Sequence, residues 1–180
     1  QMFEGLIEFI ETTLFSLVNK IQSETADGIA QAEQIVATLL AFAEKNPGMT
    51  RVLIGDALVN EDERLQARMN QLYDRIEAAL RQALRIAQAA GDWPGDANAD
   101  ANVLVAFVLG RWQLFAKSGF KRGPQIGWEE QRKFLFTFNV TRQQRRTRAR
   151  LHAQHTRHRV RLLRVLVGRR RNRQFTCDVI

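Results

Sequence analysis

Residues 61–90 read EDERLQARMNQLYDRIEAALRQALRIAQAA, and their spacing decides the fold class. Leu65, Met69, Leu72, Ile76, Leu80 and Leu84 recur at steps of three and four, and Ile86 follows on the same face, with Arg, Glu and Gln between them. That period lays one apolar stripe along a helix; a strand needs alternation with a period of two. At ~1.5 Å per residue the helix spans roughly 45 Å. Glu61-Asp62-Glu63 places negative charge on its first turn, where it complements the helix dipole.

The same period continues on both sides. Residues 2–21 carry Phe3, Leu6, Ile7, Ile10, Leu14, Leu17, Val18 and Ile21 on one helical stripe, with Phe9 off it and facing outward. No capping residue precedes this helix, which reads as entered part-way. A polar link over 22–28 leads to a helix over 29–45 with Ile35, Val36, Leu39, Leu40 and Phe42 inward. Asn46-Pro47-Gly48 stops it. A short helix over 49–60 precedes the long one. After a loop over 91–98 come the most apolar helix, 100–118, a second loop over 119–127, and a helix over 128–138. With 3 Pro and 11 Gly in 180 residues and no sustained alternation, the body is all-α with about six helices.

Charge divides the chain. Residues 1–136 hold 14 Lys and Arg against 18 Asp and Glu, a net of −4; residues 137–180 hold the other 13 bases, all Arg, and one acid, Asp178. The whole-chain net of +8 therefore describes neither part. We read 1–136 as one domain and 137–180 as an Arg-rich extension. The extension has three readings. Arg145, Arg146, Arg148, Arg150, Arg169, Arg170 and Arg171 would hold a polyanion non-specifically. A basic amphipathic helix would lie on an anionic membrane surface. A shifted reading frame in a GC-rich gene would also give Arg without Lys.

Several function classes are excluded. The body has no His, no Cys and no phosphate-cradling Gly loop, so no catalytic residue and no cofactor is expected. His152, His155 and His158 are crowded by Arg157 and Arg159 with no carboxylate near, which opposes a metal ion. Cys177 has no partner for an internal disulfide. No apolar run approaches the roughly 18 residues of a membrane span. The first residues lack a signal peptide's basic start, and a cytoplasmic setting is expected.

The helix over 100–118 is apolar nearly all round, so it demands burial on nearly all sides. Val103, Ala106, Phe107, Gly110 and Leu114 share one face, where Gly110 permits close backbone approach. That face is either a dimer interface or the flank of a central core helix in a monomer.

Three segments carry a family likeness: residues 6–11 (LIEFIE), 42–53 (FAEKNPGMTRVL) and 64–77 (RLQARMNQLYDRIE). Over roughly residues 2–136 the chain resembles the C-terminal domain of SlmA-type nucleoid occlusion factors, a branch of the TetR family. The resemblance implies a TetR-type helical bundle that forms a homodimer through its last two helices. It implies DNA binding through an N-terminal helix-turn-helix domain, which this chain is expected to lack. It also implies a nucleoid-associated role in cell division. There the C-terminal tail of the tubulin-like protein FtsZ is captured and septum assembly over the nucleoid is prevented. Phe9 and Asn46 match residues of the family's FtsZ groove, and Lys45 stands where Arg is usual. Leu17 replaces a basic residue of that region and Ala41 a glycine. The alternative is a generic TetR-type transcription regulator with a small-molecule pocket among Phe42, Met69, Tyr73 and Trp112.

Overall fold

Six helices account for most of the residues that the computed structural model describes, 2–55 and 62–136, and no strand occurs among them. They are α1 (Met2–Glu24), α2 (Gly28–Lys45), α3 (Pro47–Leu53), α4 (Glu63–Ala90), α5 (Ala97–Lys117) and α6 (128–136). The Arg-rich extension lies outside the described residues, with Arg145, Arg146, Arg148, Arg150, Arg169, Arg170 and Arg171.

Short side chains set the boundaries. The Asp27 carboxylate accepts from the backbone N–H of Ile29 at 2.8 Å and of Ala30 at 3.3 Å, which caps α2. Asp62 accepts from Arg64 N–H at 2.9 Å at the head of α4. That hydrogen bond holds the Asp62 carboxyl below its usual range. Gly91 closes α4 with φ +86, a left-handed conformation that glycine adopts without a steric penalty.

Several boundaries differ from the sequence reading, most clearly those of α3 and the start of α5. α3 begins at Pro47 and ends at Leu53, where the sequence suggested 49–60. Proline suits the first helical position, because its missing N–H has no partner there in any helix. Asn46 therefore ends α2 and starts α3 at once. α5 starts at Ala97, three residues early, because Asp96 accepts from Asn98 N–H at 3.0 Å.

α4 is the spine and packs against α1, α2 and α5. Leu65, Met69, Leu72, Ile76, Leu80 and Leu84 are buried, as their spacing requires; Ala87 takes the last place, and Ile86 is half-buried. From α1 come Ile7, Ile10, Leu14 and Val18, and from α2 Ile35, Val36, Leu39 and Leu40. Leu17 does not join them and is 38 % exposed. α4 lies on the Glu11 and Phe15 side of α1. There Arg68 bonds to the Glu11 carboxylate at 3.0 Å, and the Arg75 guanidinium sits 3.7 Å from the Phe15 ring centre. Phe15 is thus covered and Leu17, on the other flank, is left out.

α5 is held by Trp112, which is fully buried and donates its indole N–H to the Leu39 carbonyl of α2 at 3.1 Å. Leu104, Val105, Val108 and Phe115 are buried with it. α6 packs back on this body: Phe136 meets Trp93 edge-on at 6.0 Å, and Arg132 reaches Glu33 of α2 at 2.8 Å.

Candidate partner-binding groove

Phe9 stands on the outer side of α1 and is 54 % exposed, a costly place for a large apolar ring. By helical spacing Thr13, Ser16 and Lys20 lie on the same stripe. On α2 the corresponding stripe is Gln34, Thr38, Ala41 and Lys45. The other flank of α2 is taken, since Glu33 pairs with Arg132 and Glu44 accepts from the Gln125 amide at 2.7 Å. The Lys45 stripe therefore turns away from α6, and at the start of α2 the Gln31 side chain donates to the Thr25 carbonyl of the α1–α2 link.

The two ends match in height. α1 packs against α3 as well as α2. α3 follows the far end of α2, roughly 27 Å from the α1–α2 connection at ~1.5 Å per residue. Only the N-terminal half of α1 reaches that far. Counted along the two helices, Phe9 falls nearer the end of the pair that carries Lys45 and Asn46 than the end at the α1–α2 link.

Lys45 is exposed and makes no ion pair among the described residues. Asn46 is half-buried, and its amide is already in use. Its Nδ2 donates to the Phe42 carbonyl at 2.8 Å, and its own carbonyl accepts from the Thr50 N–H at 3.0 Å and hydroxyl at 3.1 Å. Its first task is to hold the α2–α3 corner and so to aim Lys45.

The α5 face stands uncovered among the described residues. Val103 is 54 % and Leu114 49 % exposed, and Ala106 and Gly110 are exposed as well. Phe107 differs: it is half-buried, with its ring 6.1 Å from Trp128 of α6. Of the four residues suggested for an internal pocket, Phe42, Met69 and Trp112 are buried in the core. Tyr73 donates its hydroxyl to the Leu53 carbonyl, and burial pushes it up to about 12. The polar ends of Trp112 and Tyr73 are thus spent on backbone carbonyls.

Sequence reasoning missed the fastening of the α5–α6 loop. Arg111 donates to the carbonyls of Pro124 at 2.9 Å, Gly123 at 3.2 Å and Ile126 at 2.6 Å. No local pattern signals this, because an Arg on a helix reads as a solvated charge until its neighbours are known.

A family model for the tetracyclin repressor-like C-terminal domain of the SlmA-like type matches residues 26–142. That covers more than half of the chain, including the whole α2–α6 arrangement.

The chain belongs to the SlmA-like C-terminal domain family.

Similar proteins agree with this TetR-like, regulatory assignment. The nucleoid occlusion factor SlmA of Marinomonas sp. is 47 % identical over 133 residues, 73 % of this chain and 68 % of that protein. SlmA of Vibrio cholerae is 46 % identical over 132 residues, 72 % and 67 % of the two chains. SlmA of Alteromonas mediterranea is 44 % identical over 133 residues, with 73 % and 68 % covered. A SlmA-like role follows, in a family of regulators rather than enzymes. No helix among the described residues is long and apolar enough to cross a membrane.

Proposed function

We propose that this SlmA-like domain is a protein-interaction module of nucleoid occlusion. It captures the C-terminal tail of FtsZ in the groove between α1 and α2, and so restrains septum assembly beside the nucleoid. The observation that supports this reading is Phe9, a large aromatic ring left 54 % exposed on α1, together with Lys45, which is exposed at the end of α2 and makes no ion pair among the described residues. Aromatic anchors carry much of the energy of peptide interfaces, whereas rim charges act on association rate and salt dependence.

The test is a titration of a labelled FtsZ tail peptide against the full chain and its variants. Residues 137–180 are common to all of them, so their charge cancels in the comparison. Phe9→Ala is expected to weaken binding about tenfold, or ~1.4 kcal/mol. Lys45→Ala should cost about threefold, and less at high salt. Unchanged affinity in both variants would remove the groove assignment.

The module acts as a homodimer in this reading, with α5 and α6 of two copies packed together. Val103, Ala106, Gly110 and Leu114 form the contact, and Phe107 supports it from beneath through Trp128. Leu114→Arg should convert a dimer in sedimentation equilibrium to a monomer with unchanged helicity. A wild-type chain that stays monomeric at tens of micromolar would sink the interface. DNA contact is not assigned to the described helices. A small-molecule regulator is the second reading, and the filled positions of Trp112 and Tyr73 weigh against it.

A further inference from the structure

Most bases of the described body are engaged. Lys20, Arg64, Arg68, Arg81, Arg132 and Lys133 pair with carboxylates. Arg111 holds three carbonyls, Arg85 meets Asn98, and Arg75 covers Phe15. Lys45, Lys121 and Arg122 are exposed and have no side-chain partner among the described residues. These cations are not scattered. α3 packs against both α2, which ends at Lys45, and α5, which leads into the turn at 118–122. Arg51 of α3 lies 5.3 Å from the ring centre of Phe120, the residue just before Lys121.

The surface is built rather than incidental. Residues 45–55 and 101–128 contain no Asp or Glu. The neighbouring Glu44 carboxylate is tied to the neutral Gln125 amide at 2.7 Å and keeps its charge at the edge of this surface. Phe120 has φ +63, a left-handed backbone that a bulky residue seldom adopts, and its ring is braced edge-on against Phe115 at 5.1 Å. That places an aromatic platform under Arg51. A guanidinium lying on a ring keeps its N–H edge free for a carboxylate.

We infer that the surface of Lys45, Arg51, Lys121 and Arg122 binds the carboxylates of an acidic peptide stretch that continues out of the α1–α2 groove. The inference rests on the groove reading for its continuity, since Lys45 belongs to both. A nucleic acid fits less well. The body carries a net of −4, and Glu129 and Glu130 follow in the first turn of α6. An extended phosphate backbone would run onto those acids, whereas a short acidic segment ends before them.

The experiment uses the full chain, the labelled FtsZ tail peptide, a labelled octa-glutamate peptide and a 20-base-pair duplex. Hydrogen exchange at residues 47–53 and 118–123 reads this surface separately from residues 137–180. Octa-glutamate is expected to protect both segments in the wild type and in Phe9→Ala, but not in the Lys121→Ala/Arg122→Ala double variant. The same double variant should bind the tail peptide about fivefold more weakly at low salt, with a shallower salt dependence. Unchanged exchange with octa-glutamate, together with unchanged tail affinity, overturns the inference. Protection by the duplex in place of octa-glutamate also overturns it, in favour of nucleic acid. Failure of the tail peptide alone, with octa-glutamate protection intact, defeats the groove and supports an acidic-peptide surface.

Discussion

Trp112→Ala is expected to remove about 4 kcal/mol of folding free energy, the largest loss of any single truncation proposed for this chain. The indole is fully buried, and it is the point where α5 is fixed to α2 by both packing and the bond to the Leu39 carbonyl. Truncation leaves a cavity between the helix that carries the Lys45 stripe and the helix that carries the proposed dimer face. Trp112→Phe separates the two contributions: it keeps most of the ring and deletes the donor, for about 1 kcal/mol. Urea unfolding followed by helix signal at fixed protein concentration measures both. A cost below about 1 kcal/mol for the alanine variant would contradict the α2–α5 packing.

Gly28→Ala is expected to cost about 3 kcal/mol, although alanine is the better helix former. A Cβ at this position would lie 2.3 Å from the Ala83 carbonyl oxygen and 2.4 Å from the Ala87 nitrogen. Both are backbone atoms of α4, so no side chain can swing aside. The start of α2 must then back away from α4, and its axis moves, carrying Lys45 and Asn46 at the other end. Gly5→Ala is the contrasting case, with nothing within 4 Å of the added methyl. It should stabilise α1 by about 0.5–1 kcal/mol. Melting of the two variants side by side tests the close approach itself. Similar behaviour of both would mean that α2 does not rest on the α4 backbone.

Much of the fold is legible in the sequence where the signal is local. The α4 stripe follows from three- and four-residue spacing, and the charge on its first turn is read directly from Glu61-Asp62-Glu63. The errors arose where two local signals competed. Asn46-Pro47-Gly48 reads as a stop, yet the same proline is an ideal first residue, so α3 starts inside the stop. On α1, Leu17 and Phe15 flank the same buried stripe, and spacing alone favours the leucine. The position of α4, with Arg75 laid over Phe15, reverses that order. The candidate site was legible in part. Phe9 stands out as an apolar residue off its stripe, whereas Lys45 and Asn46 read as part of a helix stop and enter as candidates only through the family likeness. The amide of Asn46 gave no sign that the α2–α3 corner would occupy it.

Helical class, the positions of most breaks, the charge boundary near residue 136 and the family likeness were determined by the sequence alone. Each depends on composition or on contacts within about four residues, which order along the chain specifies directly. The tertiary structure decided which cations have partners. Arg68 meets Glu11 across 57 residues, and Arg132 meets Glu33 across 99. Lys45, Lys121 and Arg122 are left without a side-chain partner among the described residues, although Glu44 stands beside them. A charge is neutral information in a sequence; only its distance to the opposite charge makes it a brace or an open binding surface.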